Sequence, residues 1–233
     1  MNNKILSIIP AREGSKGLKN KNIINLIDKP LIAWTIEASL KVKFINKTIV
    51  SSDSEEILNI SKKYGANIIK RPKIISQDET NAELVVFHVL NELKKKGEYY
   101  DYLIYLQPTS PLRSSSHINS AIKLFFEKEA TSLISVTKLE KKYLKLFFKK
   151  SDGYLGGISS NNFYSKNRQS LPKAYLPNGA IYIVKTDSFI LNNGFISDKT
   201  IPFCMSEDLS LDIDTLEDLI KVQNFLKNKL EKN

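Results

Sequence analysis

Short runs of branched apolar residues alternate along this chain with longer segments in which apolar residues recur every three or four positions. The first pattern is typical of buried strands, and the second is typical of helices that pack through one face. Repeated in this order, the two patterns predict a mainly parallel sheet built from strand–helix–strand crossovers. We therefore expect an α/β fold with helices on both faces of one sheet.

Turn and capping residues set the expected ends of these elements. Strands are predicted at residues 5–10, 48–51, 67–70, 102–106, 132–136 and 178–184. Helices are predicted at residues 30–40, 54–64, 81–95, 116–128 and 215–230. Gly65 is expected to end the second helix, because glycine adopts the left-handed conformation of a helix C-terminus without a side-chain clash.

The alternation stops between residues 138 and 177, where a glycine-rich turn, Pro172 and a basic, apolar stretch replace it. We predict one domain over residues 1–233, with this segment as an insertion. Its apolar residues favour a surface covered by a partner, and a hairpin packed on its own subunit is the alternative. These residues are Tyr143, Leu144, Leu146, Phe147 and Phe148.

The composition is that of an ordinary globular chain. Hydrophobic residues make up 42% of the 233 residues and charged residues 26%, which excludes disordered and collagen-like classes. Cys204 is the single cysteine, and two histidines are too few for a Cys/His zinc site. No stretch reaches the roughly 18 to 20 apolar residues of a membrane span, so we expect a cytoplasmic protein with no membrane partner.

The formal net charge of +10 is carried almost entirely by lysine. Such a charge suits a nucleic acid, a small polyanionic substrate, or a lysine-rich composition without functional meaning. Because the lysines are scattered and lack interleaved aromatic residues, we expect no nucleic-acid partner. The few arginines are candidates for tasks that need a planar, bidentate cation. They are Arg12, Arg71, Arg113 and Arg168.

The densest group of candidate binding residues follows the first strand. Loops at the carboxyl end of this strand commonly bind ligands in open α/β sheets. Gly14 and Gly17 let backbone amides turn towards an anion. Arg12, Lys16 and Lys21 add positive charge there, whereas the Walker and dinucleotide glycine motifs are absent. We expect this loop to hold a triphosphate, and a merely basic surface loop is the alternative.

Seven blocks of the sequence stand out, at residues 9–22, 51–54, 71–72, 106–113, 168–172, 177–182 and 211–214. In this order and at this spacing, they resemble the acylneuraminate cytidylyltransferases, or CMP-sialic acid synthetases. The resemblance spans nearly the whole chain. It implies a three-layer α/β/α, Rossmann-like nucleotidyltransferase fold with a small dimerisation insertion at about 138–177, and hence a homodimer. We expect no second, hydrolase-like domain of the kind that some relatives carry.

The family's reaction defines the expected activity. It implies that CTP and N-acetylneuraminate give CMP-N-acetylneuraminate and pyrophosphate, with Mg²⁺, for surface glycan biosynthesis. Legionaminate and pseudaminate are close alternatives, because no motif reads the positions at which these nine-carbon sugars differ. The eight-carbon sugar acid of lipopolysaccharide is less favoured, since its enzymes have a different first loop. A nucleotide-binding regulator without catalysis and a basic nucleic-acid-binding protein are alternatives from other classes.

For CTP, the resemblance implies a site made by the first loop and two later positions. Lys21 is expected to stabilise charge on the α-phosphate. Asn22 and Arg71 match the residues that recognise ribose and base, and Thr80 offers a hydroxyl near the cytosine, while Ala82 stands where the family often has serine. The complete expected set is Arg12, Gly14, Ser15, Lys16, Gly17, Lys21, Asn22, Arg71 and Thr80.

Asp212 and Asp214 are the expected metal ligands. One residue separates them in a segment expected to be extended, so both carboxylates point to one side and can share a Mg²⁺ ion with phosphate oxygens. By resemblance the ion helps to deprotonate the anomeric hydroxyl of the sugar. A capping cluster for the helix that begins near Thr215 is the alternative. With Lys21 and Arg168, the two aspartates form the expected catalytic set.

The remaining expectations concern the sugar acid. Gln107 matches the family's glutamine, whose amide both donates and accepts hydrogen bonds. Lys145 and Arg168 match the basic residues that bind the substrate carboxylate, and in the family arrangement they act on the partner's site. Leu176 departs from relatives that carry an arginine there. Arg113 is expected to lock the Gln107 loop. His88 lies on an apolar helix, where we expect it to pack rather than bind a ligand.

Overall fold

The computed structural model describes residues 3–14, 17–159 and 162–230, which contain eleven strands and six α-helices. The strands are β1 (Ile5–Pro10), β2 (Asn25–Leu26), β3 (Lys29–Pro30), β4 (Lys47–Ser52), β5 (Asn67–Lys70), β6 (Tyr102–Tyr105), β7 (Ser132–Leu139), β8 (Phe147–Lys149), β9 (Leu155–Gly157), β10 (Ala174–Lys185) and β11 (Thr200–Cys204). The helices are α1 (Leu31–Leu40), α2 (Glu55–Lys63), α3 (Ala82–Lys94), α4 (Ser115–Glu127), α5 (Thr186–Asn192) and α6 (Leu216–Leu230).

Seven strands form one mixed sheet in the order β5-β4-β1-β6-β10-β7-β11. Strand β1 pairs in parallel with β4 and β6, whereas β10 runs antiparallel to both β6 and β7. From β1 the chain moves outwards to β4 and β5, then returns to the other side of β1 as β6. The carboxyl ends of β1 and β6 therefore flank a topological switch point, the place where open α/β sheets bind ligands.

Alternate residues of β1 pack in two hydrophobic cores, one on each face of the sheet, because successive side chains of a strand point to opposite faces. Ile5 and Ile9 pack with residues of α1, α2 and α4. Leu6 and Ile8 pack with residues of α3 and α5 on the other face. The predicted three-layer α/β/α architecture is confirmed. No helix among the described residues is long and apolar enough to cross a membrane.

Most predicted elements are present, but helix α5, strand β11 and the short strands β2, β3, β8 and β9 were not predicted. The strands at 5–10 and 67–70 have the predicted bounds, and Gly65 ends α2 with a φ of +89°. Helix α5 was missed because its seven residues are too few to show a helical period. Strand β11 was missed because it contains Pro202, which a strand tolerates at the sheet edge that β11 occupies.

The predicted insertion leaves the sheet between two paired strands. Strand β7 continues to Leu139, and β10 begins at Ala174 rather than at residue 178, because Leu139 and Ala174 are partners in the antiparallel ladder. Between them lie the β8–β9 hairpin and several 3-10 turns. The first and last residues of the predicted insertion therefore belong to the central sheet.

Candidate functional site

A cavity of about 330 Å³ opens at the switch point between β1 and β6. Its walls come from the first loop, the segment after β5, the start of α3, the end of β6 and the segment before α6. Eight predicted site residues line it: Arg12, Lys21, Asn22, Arg71, Thr80, Gln107, Asp212 and Asp214. Residues that are far apart in the sequence thus meet in one place.

The other predicted residues lie elsewhere. Gly14 and Gly17 are in the first loop without lining the cavity, and Ser15 and Lys16 lie outside the described residues. Lys145 and Arg168 lie in the insertion and do not reach the cavity of their own chain. The Arg168 side chain is 64% exposed and donates from Nη2 to Glu140 Oε2 at 2.9 Å.

The first loop is attached to its surroundings by backbone and side-chain hydrogen bonds. The Asn22 side chain donates to the carbonyl of Arg12 across 3.0 Å. The backbone N–H of Glu13 donates to Asp53 Oδ1 across 3.1 Å. A Cβ atom at Gly17 would overlap the backbone carbonyl of Asp214, so a glycine is needed where the loop passes the acidic segment.

Two cations of the loop are paired with carboxylates beside the cavity. Lys21 Nζ donates to Asp214 Oδ1 at 2.6 Å, and Arg12 forms an ion pair with Asp78. The Lys21 side chain is only 14% exposed, so its ammonium group is held close to the acidic segment. Positive charge therefore lies beside the Asp214 carboxylate. A polyphosphate requires cationic groups, and a metal ion bound to it requires a carboxylate, so this arrangement suits both.

Asp212 and Asp214 both line the cavity, although the segment 211–214 is irregular rather than a strand. The backbone N–H of Ile213 donates to the carbonyl of Thr109 at 2.9 Å. Asp212 faces the open cavity, yet the surrounding protein raises the pKa of its carboxyl group above the ordinary value, and the charge of Asp214 adds to this effect. Thr109, which sequence reasoning missed, therefore holds the acidic segment.

The alternative role for the two aspartates was to cap α6. The carboxylate that performs this task is Asp218, which accepts from the backbone N–H of Thr215 at 2.9 Å and of Asp214 at 3.3 Å. The Thr215 hydroxyl in turn accepts from the backbone N–H of Asp218 at 3.3 Å. Because α6 has this reciprocal cap, the carboxylates of Asp212 and Asp214 are not needed for it. Two carboxylates that face one cavity suit Mg²⁺, which commonly binds through one or two carboxylates and substrate phosphates.

Arg71 forms the other end of the cavity. Its backbone N–H donates to the carbonyl of Ser52 at 2.7 Å, which extends the β4–β5 ladder by one residue. The residue is only 4% exposed, and this burial lowers the pKa of the guanidinium while nearby Asp53 opposes the change. Asn22 and Thr80 line the same cavity, as predicted, and so does Ala82.

Arg113 fixes the loop that follows β6. It is 1% exposed, and its guanidinium donates to the carbonyls of Gln107 (3.2 Å), Ser110 (3.3 Å) and Ala180 (3.3 Å). It also donates to the Thr35 hydroxyl at 2.6 Å. Burial lowers the pKa of Arg113 to about 9, so it remains charged at neutral pH. The predicted locking role of Arg113 is confirmed.

A second cavity of about 380 Å³ shares Gln107 and Asp212 with the first. It continues across β7 and β10, and sequence reasoning missed most of its wall. The other lining residues are Thr137, Leu176, Pro177, Asn178, Gly179, Tyr182 and Ser210. None of the lining residues is a lysine, arginine or histidine. Four of the lining residues belong to the block at 177–182, which the sequence analysis used only as part of the resemblance.

Comparisons with known proteins give a consistent result. Residues 6–185 match the family model described as Cytidylyltransferase. The N-acylneuraminate cytidylyltransferase of Escherichia coli O18:K1:H7 is 39% identical over 92% of this chain, which covers 50% of that protein. The pseudaminic acid cytidylyltransferase of Campylobacter jejuni is 31% identical over 93% of each chain. The CMP-N,N'-diacetyllegionaminic acid synthase of Legionella pneumophila is 32% identical over 91% of each chain.

Coverage and sequence identity determine what these similarities show. The chain spans about half the length of the first curated relatives that it matches. A solved structure of CMP:2-keto-3-deoxy-manno-octonic acid synthetase, complexed with CTP, superposes with a TM-score of 0.70. It covers 97% of this chain and 99% of its own, at 15% identity, and so supports the fold alone.

Proposed function

This chain belongs to the cytidylyltransferase family, and we propose that it transfers the CMP group of CTP to a nine-carbon 2-keto sugar acid, with release of pyrophosphate. The observation that carries the proposal is the meeting of Arg12, Lys21, Asp212 and Asp214 in one cavity at the switch point of the sheet. N-Acetylneuraminate is the first sugar to test, and legionaminate and pseudaminate are the alternatives. The product would serve the biosynthesis of a surface glycan.

In the proposed complex, CTP occupies the 330 Å³ cavity with its triphosphate towards the first loop. Arg12 and Lys21 exchange part of their contact with Asp78 and Asp214 for phosphate oxygens. The cytosine lies towards Arg71, whose fork supplies two donors to base carbonyl or ring nitrogen acceptors. This orientation places the α-phosphate near Lys21, where a fixed cation stabilises the charge that develops during transfer.

Asp212 and Asp214 would hold Mg²⁺ beside the phosphates. When bound, the ion offsets phosphate charge and favours loss of the proton from the sugar hydroxyl. Asp212 lines both cavities, so the attacking hydroxyl in the second cavity and the α-phosphate in the first meet at this residue. The anomeric oxygen bonds to the α-phosphorus, the bond from that phosphorus to the bridging oxygen breaks, and pyrophosphate carries away the electron pair.

The second cavity is the proposed sugar site. Gln107 offers an amide to the polyhydroxylated substrate, but the lining includes Asp212 and no cation. A sugar carboxylate therefore needs positive charge from outside this wall. We assign that task to Lys145 and Arg168 of the partner subunit in a homodimer. The exposed Leu146, Phe147 and Phe148 of the insertion support such an interface.

The test is a matrix of substrates. Pyrophosphate release is measured with Mg²⁺ for CTP, UTP, ATP and GTP, each against N-acetylneuraminate, legionaminate, pseudaminate and the eight-carbon acid. We expect turnover with CTP and a nine-carbon acid. Turnover only with the eight-carbon acid would contradict the substrate class. No turnover in any pair, by protein that binds CTP, would favour a nucleotide-binding regulator.

A further inference from the structure

Arg71, Ser51 on the adjacent strand and His88, whose pKa the charge of Arg71 lowers, each have a buried side-chain atom without a hydrogen-bond partner. Among the described residues, four buried side-chain atoms lack a hydrogen-bond partner, and Ser51 Oγ, Arg71 Nε and His88 Nδ1 are three of them. Ser51 is fully buried and Arg71 is 4% exposed. Buried polar atoms are almost always paired in folded proteins, so a group of three requires an explanation.

The strand register places Ser51 and Arg71 on one face of the sheet. Ser51 of β4 pairs with Ile69 of β5, and Arg71 lies two residues after Ile69 along the same ladder. Side chains two residues apart share a face, so Arg71 points to the side on which Ile69 packs. Ile69 packs there against Val86 and other residues of α3.

His88 belongs to α3, the helix that packs on this face of the sheet. Val85, which lies one turn before His88, lines the first cavity, and residues three apart are neighbours on a helix face. Burial lowers the pKa of His88, and the charge of Arg71 lowers it further, whereas Glu92 acts in the opposite direction. The ring is therefore neutral at neutral pH and keeps one acceptor nitrogen.

The three atoms have complementary hydrogen-bonding capacities. Arg71 Nε carries one donor hydrogen, the Ser51 hydroxyl both accepts and donates, and His88 Nδ1 accepts when the proton is on the other ring nitrogen. The structure leaves all three atoms unpaired, and two hydrogen bonds, from Arg71 to Ser51 and from Ser51 to His88, would satisfy them. One bound water between any two of them would serve equally, because water has the same capacities.

We propose that Ser51 and His88 are positioning residues, which hold the inner edge of the Arg71 guanidinium so that its two terminal nitrogens face the base of the bound nucleotide. This inference rests on the proposed use of CTP. Neither residue touches the substrate in this account. Both act by restricting the rotation of Arg71, whose long side chain otherwise loses conformational freedom each time a nucleotide binds.

The test compares three variants of His88 by calorimetric CTP affinity and by steady-state kinetics. His88→Leu removes the acceptor that the proposed network needs, and we expect about fivefold or greater weakening of CTP affinity, with KM raised and kcat within about twofold. His88→Asn should bind CTP within about twofold of the wild type, because its amide oxygen takes the place of Nδ1. His88→Gln, whose amide reaches the other ring nitrogen's position, should resemble His88→Leu. Asn91→Leu, at an exposed position of α3, is the control.

A second measurement separates this inference from the proposed function. In protein labelled with ¹⁵N at arginine, the Arg71 Nε–H resonance should exchange slowly with solvent and should shift in His88→Leu, whether or not CTP binds. If His88→Leu does not fold, Ser51→Ala takes its place in both measurements. Equal CTP affinity of wild type and His88→Leu, or equal weakening by His88→Asn and His88→Leu, would overturn the role of His88. A wild type without CTP binding would overturn the proposed function instead, and an unmoved Arg71 resonance would overturn the network alone.

Discussion

Replacement of Arg113 tests how the Gln107 loop is held. The guanidinium donates to three backbone carbonyls and to Thr35, at 2.6 to 3.3 Å, and no carboxylate among its hydrogen-bond partners balances its charge. In Arg113→Met, four buried acceptors lose their donor at about 1 kcal/mol or more each. Removal of a buried charge recovers part of the several kcal/mol that its desolvation costs. The expected net loss in free energy of unfolding is about 2 to 4 kcal/mol.

Urea unfolding followed by circular dichroism measures this loss. With a slope of about 2 to 3 kcal/mol per molar urea, the midpoint of Arg113→Met should fall by about 0.7 to 2 M. Lys123→Met, at an exposed position of α4, is the control and should stay within about 0.5 kcal/mol of the wild type. Since the loop also carries Gln107, KM for the sugar should rise more than KM for CTP. A loss below about 1 kcal/mol would refute the reasoning.

The remaining predictions concern the metal ligands, the dimer and pH. Asp212→Asn and Asp214→Asn should each lower kcat by at least about 10²-fold without moving the urea midpoint, and full activity of both would contradict the metal assignment. Mixing Arg168→Ala with Lys21→Ala subunits should restore about a quarter of wild-type activity, because half of the randomly formed dimers contain one intact site. No rescue by proven mixed dimers would place Arg168 in its own subunit's site. Burial lowers the pKa of His117, so the folded chain binds fewer protons than the unfolded chain below about pH 6.5, and the free energy of unfolding should fall with acidification. In His117→Gln, which keeps a side-chain acceptor at the start of α4, this fall should be smaller, and an unchanged fall would refute the assignment.

The sheet was predictable because its strands and helices carry strong local patterns. Ile5–Pro10 is apolar almost throughout, as a strand buried on both faces must be. The first cavity followed from topology, since a loop after β1 and a loop after β6 are brought together at any switch point of this kind. Topology accounts in this way for Arg12, Lys21, Asn22 and Gln107, whereas Arg71, Thr80, Asp212 and Asp214 were expected there because of the family resemblance.

The low number of arginines was informative in a different way. Arg113 and Arg71 are both buried, where a planar cation with several fixed donors can satisfy more acceptors than a lysine. Arg12 lines the cavity, as its place in the first loop predicted. Arg168 is exposed on the insertion, and the role that we propose for it requires a second subunit.

What the sequence could not supply was mainly long-range contact. The second cavity depends on the β7–β10 pairing, which brings Thr137 opposite Leu176, and no local pattern indicates that register. Thr109 holds the acidic segment through the backbone hydrogen bond from Ile213, a residue about a hundred positions away in the sequence. The unpaired atom of His88 also became visible only when its neighbours on β4 and β5 were known.

The most direct test of the central claim is to observe the transferred group. Phosphorus NMR of a single mixture of the protein, CTP, Mg²⁺ and a nine-carbon 2-keto sugar acid distinguishes a CMP-sugar diester from CMP, CDP and unreacted CTP. The account predicts that a diester signal and a pyrophosphate signal grow together, in equal amounts, and that neither grows without the sugar. Unreacted CTP with each of the three nine-carbon acids, in the presence of protein that binds the nucleotide, would contradict it.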